Sequence, residues 1–458
     1  MIENDAFKLL LINLFHLNPD DITNIVCTTF NKMMVLLVTL ADKHQACPYC
    51  GFTAPKIKEY VTKEITHSAL TTQKCIIKYR ARRYKCSCCG KTYYEFNPFV
   101  FKSQKISILT VHNILKDLKD FNETFTSVAR RYHVSPTSVS TIFDKHVDIG
   151  RNPLPEIINF DEVYAFKSEK SKYVCVILDF KKQIPVDVLP NRKKEYLLNY
   201  FQKIPLEERK KVKYACSDMY EVYRDVVHKV FPSCCMLLDY FHLSQDFHRK
   251  MNEVRIKVMK GYKDNKASDE YYLLKKFNWL LFKNPEDEDK YGRLFDVERE
   301  RKYNSHFKSY MNYYDLRKKL LEINNDLTIC YSLKLELVDF YSKSTIDNAK
   351  VNLENLIRSC IDTNIDEMIA FSNNLINWKQ EIINSFTIVG TEYKVEADKG
   401  QVVVCNKKVN NAIIENRNKI VKCIKNNANG YTNWSRFRNR VMYVLDPNAT
   451  FSLEPREK

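Results

Sequence analysis

Two cysteine knuckles near the start constrain the fold more than any other feature. They read Cys47-Pro-Tyr-Cys50-Gly and Cys86-Ser-Cys-Cys89-Gly, with 35 residues between them. Each C-x-x-C pair presents two thiolates from one tight turn, and the following glycine lets the backbone pass beneath the sulfurs. Four thiolates so arranged suit one structural, tetrahedral Zn²⁺, and the spacing suits a zinc ribbon. Cys88 competes with Cys89 for the fourth position, and Cys75 is a lone strand cysteine. The chain has 15 cysteines. An odd number without an export signal favours reduced thiols and metal ligands over a disulfide framework. Arg80, Arg82 and Arg83 precede the second knuckle. They face either phosphates or solvent from an exposed strand.

The knuckles lie within runs that alternate like strands. "ITNIVCTTF" and "MMVLLVTLA" predict a hairpin, and "IIKYRARRYKCSCCGKTYYEF" further strand. Short helices follow over 104–149. Within them, "TFTSVARRYHVSPTSVSTIF" (124–143) has the apolar spacing of a helix-turn-helix. Ser135 is the expected N-cap and Pro136 the first helical residue. Thr137, Ser138 and Ser140 then point outward toward a groove, with Arg130 and Arg131 near phosphates. The bland alternative is an ordinary helix pair packed on a core.

Residues 156–243 change period. "IINFDEVYAF", "YVCVILDF" and "IPVDVLP" are three strand-like runs. "KEYLLNYFQKI" then reads as helix, "VKYACSDMY" as strand, "EVYRDVVHKVF" as helix and "CCMLLDYFH" as strand. A meander followed by alternating helix and strand predicts a mixed α/β layer on one central sheet. Asp161 falls in its first strand and Asp218 at the end of its fourth. Carboxylates in apolar strands are costly unless cations or hydrogen bonds compensate. Two on neighbouring strands, with a later Glu, can hold two divalent metals for phosphodiester chemistry. Asp179 and Asp187 are weaker candidates of the same kind. Glu162 faces the opposite side of the strand from Asp161. Asp239 and His242 end the fifth strand, where they can support such a site. A hydrogen-bonded structural role is the other reading of His242.

From 245 to 385 the chain is helical in period, with "NPEDEDKYG" (284–292) as a turn-like break. Residues 387–411 are β-prone. The helix beginning "AIIENRNKIVKCIKNN" carries one acid, Glu415, among Asn416, Arg417, Lys419 and Lys422. Alone, Glu415 reads as a first-turn carboxylate that favours the helix dipole and pairs with Lys419. Glu381, Trp378, Trp434 and Tyr431 read as structural or surface residues.

Length and charge narrow the class. At 458 residues, two to four domains are expected. The formal net charge of +17 favours a polyanionic partner. No stretch reaches the roughly 18 apolar residues of a membrane span. No G-x-x-x-x-G-K occurs, which argues against a P-loop ATPase.

The ordered motifs resemble one family. A zinc ribbon, a helix-turn-helix, "NFDEV", "SDMY", "DYFH", a helical insertion and then "ENRNKIVKCIK", "GYTNW" and "FRNR" are similar to the bacterial insertion-sequence transposases of the ISL-three family over residues 20–446. Asn416 stands where that family usually has Gly, and Tyr240 where its D-R-F-H motif has Arg. The resemblance implies a multidomain α+β chain with an RNase-H-like α/β catalytic domain, interrupted by a large, mainly helical insertion. The implied layout is a zinc-ribbon domain at 1–100, a helix-turn-helix at 101–150 and the first catalytic part at 151–245. The insertion follows at 246–400, the Glu helix at 401–446 and a tail at 447–458. The resemblance also makes Asp161, Asp218 and Glu415 a DDE triad holding Mg²⁺ or Mn²⁺, with Lys419 and Lys422 on phosphates beside it. The expected function is binding of an element's terminal repeats, followed by DNA cleavage and strand transfer. The partner is double-stranded DNA at element ends and target, met by a homodimer or higher oligomer in the cytoplasm, associated with the nucleoid. The alternative is a catalytically inactive, transposase-derived DNA-binding regulator.

Overall fold

A computed structural model describes residues 2–43, 45–53, 55–68, 70, 72–101, 104–166, 171–395 and 402–456. It is a mixed α/β chain with sixteen α-helices among the described residues.

Helix α1 (Ile2–Leu14) precedes β1 (Ile22–Phe30), β2 (Met33–Leu40), β3 (Lys56–Thr66), β4 (Cys75–Lys85) and β5 (Thr92–Tyr94). The predicted hairpin forms: β1 and β2 pair antiparallel from Ile22–Leu40 to Phe30–Met33. The sheet runs β1-β2-β4-β3, with β5 on β4. Its alternating apolar residues, including Ile25, Leu36, Val38 and Ile77, close a core over Leu11 and Ile12 of α1 and Phe15 just after it.

Helices α2 (Ile108–Asp117), α3 (Phe125–Arg131) and α4 (Pro136–His146) follow. His133 takes φ 53° in the turn between α3 and α4. Ser135 Oγ accepts the Ser138 amide at 3.0 Å, so it caps α4, and Pro136 opens the helix. Val128, Val139, Ile142 and Phe143 bury the inner face. These helices dock on the C-terminal end of the chain. Tyr443 lies in their core, and Arg436 binds both carboxylate oxygens of Asp144 at 2.9 and 2.6 Å.

The central sheet contains β6 (Ile157–Val163), β7 (Val174–Asp179), β8 (Pro185–Leu189), β9 (Tyr214–Ser217) and β10 (Cys235–Leu238). Its order is β10-β9-β6-β7-β8. The meander β6-β7-β8 is antiparallel, while β6, β9 and β10 run parallel. Helices α5 (Lys194–Gln202), α6 (Leu206–Arg209) and α7 (Glu221–Val230) connect these strands. The strands are apolar on both faces because both are covered. Ile158, Phe160 and Ile177 pack against Leu197, Phe201 and Val226 of α5 and α7. Val163, Val176 and Val188 face α15 (Ala412–Asn427) and α16 (Trp434–Leu445).

Between β10 and α15 lie α8 (Tyr240–Lys260), α9 (Asp269–Lys276), α10 (Tyr313–Glu322), α11 (Asn325–Lys343), α12 (Ala349–Asp362), α13 (Asp366–Asn377) and α14 (Lys379–Asn384). One continuous apolar cluster joins them, including Phe247, Met251, Leu337, Leu353 and Phe371. The helical expectation missed two short hairpins here, β11 (Glu288–Asp289) with β12 (Gly292–Arg293) and β13 (Lys302–Asn304) with β14 (Ser309–Met311). Strands of two or three residues are too short to carry a period-2 signal. The β-prone stretch after α14 forms an antiparallel pair, β15 (Ile388–Val395) with β16 (Val402–Lys408).

Candidate active site

Strand register brings three aspartates level. In the parallel pair β6–β9, Asn159 stands opposite Cys216. Two residues further on lie Asp161, within β6, and Asp218, just past the end of β9. In β9–β10, Ser217 stands opposite Leu238, and the Asp239 amide donates to the Ser217 carbonyl at 3.1 Å. Asp161, Asp218 and Asp239 therefore form a row across the same end of three adjacent strands. Ends of parallel strands are where α/β sheets commonly place their sites.

Helix α15 closes over this row. Asn159 Nδ2 donates to Asn411 Oδ1 at 2.7 Å and to the Asn410 carbonyl at 2.8 Å, tying the helix start to β6. One turn further, Glu415 faces the row. Its Oε1 lies 3.9 Å from His242 Nε2, and the same nitrogen lies 3.9 Å from Asp239 Oδ2. Asp239, His242 and Glu415 thus offer ligand atoms within 4.8 Å of one another. One turn beyond Glu415, Asn418 Nδ2 donates to Asp161 Oδ2 at 2.8 Å.

The electrostatics follow from crowding. Burial, and then the neighbouring Asp218 charge, push the Asp161 carboxyl up to about 7, against the opposing pull of His242 and the Asn418 hydrogen bond. Burial also raises Asp218 and Asp239, offset in both by His242 and in Asp218 by Arg192. Arg192 pairs with Glu162 and lies over the rings of Tyr173 and Tyr220, 4.7 Å from each centroid. Asp218 Oδ1 and His242 Nε2 are buried and make no hydrogen bond. Buried like charges such as these need a counter-ion or a proton, and one acid oxygen, Asp218 Oδ1, is left without a partner.

The cysteines form a second cluster. Cys47, Cys50, Cys86 and Cys89 bring their sulfurs within 4.8 Å of one another, and Cys88 stays outside. Cys47 Sγ lies 3.7 Å from Cys89 Sγ, and Cys50 Sγ 3.5 Å from Cys86 Sγ. Gly51 and Gly90 take φ 74° and 68°, the left-handed turn a side chain would resist. Both knuckles close identically, the Cys47 amide on the Phe52 carbonyl at 2.8 Å and the Cys86 amide on that of Lys91 at 2.9 Å. Backbone amides that point at the sulfur hold the Cys86 thiol down at about 7.

The remaining predicted residues fall into two groups. Arg130, Thr137, Lys419 and Lys422 are exposed. Arg80 stacks over Tyr60 at 4.9 Å. The others are engaged within the chain. Arg82 binds Glu95 at 2.7 Å and the Leu40 carbonyl at 3.1 Å, and Arg83 binds Glu59 at 2.7 Å. Arg131 is held by Asp117 and Glu123. Ser138 belongs to the α4 cap, and Ser140 Oγ donates to the Thr137 carbonyl at 3.0 Å. Asp179 caps a turn by accepting the Lys181 and Lys182 amides at 2.8 and 3.0 Å. Asp187 binds Arg438 at 2.6 Å. Glu381 is buried away from the row. Trp434 and Tyr431 pack on Phe437, and Arg224 covers Trp378 at 4.2 Å.

Sequence reasoning gave Asp239 only a supporting part and missed Asn418 and Arg192. Asp239 had a legible signal, because "LLDYFH" repeats the strand-then-Asp pattern of "ACSDMY". Arg192 sits in a loop, and nothing local marks it.

The geometry defines an acidic site built across one end of a mixed α/β sheet and closed by a helix that brings a further carboxylate. Comparison with known proteins narrows the class. The model of a family described as transposase, of the ISL3 type, matches residues 158–402. That is more than half of the chain, and the protein belongs to the ISL3 family of transposases. A similar protein is the transposase for insertion sequence element IS1001 of Bordetella parapertussis, 19% identical over 409 residues, which cover 89% of this chain and 90% of the relative.

Proposed function

We propose that this protein is a DDE transposase that binds the terminal repeats of an insertion sequence and cleaves and joins DNA at the acidic row. The observation that carries this reading is that Glu415, on the helix above the strand ends, has ligand atoms within 4.8 Å of Asp239 and His242, beside Asp161 and Asp218, whose charges act on one another. The sheet order β10-β9-β6-β7-β8, with its antiparallel meander and parallel flank, supports an RNase-H-like catalytic fold.

Asp161, Asp218 and Glu415, with Asp239 beside them, would hold Mg²⁺ or Mn²⁺. Hard oxygen ligands suit those ions, and the orphaned Asp218 Oδ1 and the raised Asp161 carboxyl are what a cation would satisfy. Two such ions, when bound, activate an attacking oxygen and stabilise a leaving oxygen in phosphodiester chemistry. The chain's own contribution is orientation. Asn418 holds the Asp161 carboxylate toward α15. His242 stands between Asp239 and Glu415, its buried Nε2 3.9 Å from each carboxylate, and holds the two acids on either side of it. Exposed Lys419 and Lys422 extend the same helix as a phosphate-contacting face.

End recognition would fall to the N-terminal units. The four-cysteine cluster suits a structural Zn²⁺ in a zinc ribbon. Helices α3 and α4 form a helix-turn-helix with Thr137 and Arg130 outward. A DNA-binding regulator would need the cysteines and these helices but no converging carboxylates, so the row weighs against it. The test is incubation of purified protein with the terminal repeats that flank its coding sequence. Mg²⁺-dependent nicking and joining of those ends support the reading; tight binding without cleavage in Mg²⁺ or Mn²⁺ replaces it with the regulator.

A further inference from the structure

A cleft of about 570 Å³ opens beside the acidic row, with Asp239 and Glu415 on one margin. We infer that it receives an unstacked nucleobase of the DNA strand whose phosphate lies at the row. The inference rests on reading that row as a DNA-cleaving site.

The lining is wrong for a phosphate and right for a base. Leu238, Val338, Val409 and Ala412 make much of it apolar. Aromatic rings form one wall. Tyr240 packs on Tyr341 with centroids 3.8 Å apart, and Tyr341 stacks on the buried Phe386 at 5.3 Å and 21°. Phe241 stands at the mouth, 50% exposed and next to His242. A large ring left in solvent beside a catalytic margin is a ready stacking platform. Every base offers a π-face on which such a ring can stack, whatever its sequence.

Polar groups also line the cleft. The Tyr341 hydroxyl is buried beside Ser385, whose Oγ donates to the Ile382 carbonyl at 2.6 Å, so the ring is held in place as part of the wall. Lys408 Nζ is held 4.5 Å above the Phe386 ring, so the lining includes a cation as well as Asp239 and Glu415. Ser342 and Asn410 complete the polar rim. A base that leaves the duplex loses its stacking and pairing, and such a receptor offsets that loss.

Fluorescence of 2-aminopurine, placed singly at positions flanking the cleavage site of the terminal-repeat duplex, tests this with full-length protein. Ca²⁺ in place of Mg²⁺ holds the chemistry back. Emission at one position is expected to rise about threefold or more, as for a base drawn from its stack. Asp161→Asn should keep that rise, whereas Phe241→Ala and Ser342→Trp, the second filling the cleft, should cut it by more than about half. An abasic residue at the responsive position should return Ser342→Trp cleavage to within about threefold of wild type. A flat response at every position, or a rise that both cleft variants leave intact, overturns the cleft while wild-type cleavage stands. Absence of wild-type cleavage in Mg²⁺ fails the reading beneath it, and the proposal falls with it.

Discussion

Asn418 reaches across 257 positions of sequence to donate a 2.8 Å hydrogen bond to Asp161. The bond ties the helix that carries Glu415 to the first strand of the central sheet. It fixes the face of α15 turned to the row, since Glu415 and Asn418 are three residues apart and share that face.

Removing this tie should weaken the site without unfolding it. Asn418→Ala is expected to lower Mn²⁺ affinity and DNA cleavage by roughly tenfold, as for other groups that orient metal ligands. Titration of Mn²⁺ by its electron spin resonance signal measures the first effect. An unchanged affinity would mean that the bond only packs the helix.

The acidic row makes metal-free stability depend on pH. Asp161 ionises near 3.9 in an unfolded chain and at about 7 in the fold, so the folded state favours its proton. Its contribution is complete below the unfolded value and is lost as pH rises from about 4 to about 7. Asp161→Asn should therefore stabilise metal-free protein at pH 8 by on the order of 2 kcal/mol and make little difference at pH 4. Thermal melts at the two pH values, repeated with Mg²⁺, read this out. Mg²⁺ should shrink the pH 8 difference by stabilising the wild type.

The cysteine cluster separates neighbours that sequence left as rivals. Cys89→Ser should reduce bound Zn²⁺ from about one per chain to less than half, whereas Cys88→Ser should leave it unchanged. Metal analysis of freshly purified protein decides between them. Equal losses would place both sulfurs in play.

Arg130 and Arg131 are adjacent yet differently employed. Arg131 is held by Asp117 and Glu123, while Arg130 is exposed. Arg130→Ala should weaken binding to terminal-repeat DNA, flatten its salt dependence by about one ion and leave the melting temperature unchanged. Arg131→Ala should lower the melting temperature first. Binding isotherms at several salt concentrations, beside melts, distinguish the two.

Arg438 joins α16 to the central sheet through Asp187 at 2.6 Å and to the Ile149 carbonyl at 2.7 Å. Arg438→Ala leaves the Asp187 carboxylate with the Tyr200 hydroxyl and the Val188 amide as neutral partners. A cost of roughly 2–4 kcal/mol is expected from denaturant unfolding. A cost below about 0.5 kcal/mol would show that the pair is replaceable by water.

Local signals carried the parts of this architecture that depend on neighbours in sequence. The alternation of Ile25, Leu36 and Val38, the Ser135-Pro136 helix start and the two cysteine knuckles are all short-range patterns. The five strands of the central sheet were legible because their apolar runs are bounded by turns. Asp161 and Asp218 stood out as acids in apolar strands. What remained hidden depends on register and closure. Asp239 joins the row only because Leu238 pairs with Ser217, and Asn418 meets Asp161 only because α15 crosses β6 at one angle. The engagement of Arg82 with Glu95 and of Arg131 with two acids is likewise tertiary. A basic residue on a predicted surface does not announce an internal partner.

The central claim is that the row of Asp161 and Asp218, closed by Glu415, cuts DNA. The most direct measurement is cleavage of terminal-repeat DNA in Mg²⁺ by the Asp161→Ala, Asp218→Ala and Glu415→Ala proteins, with end binding measured in parallel. Each variant should bind within about threefold of wild type and lose cleavage by about 10³-fold or more. Full cleavage by any of the three, once contaminating nuclease is excluded, would contradict it.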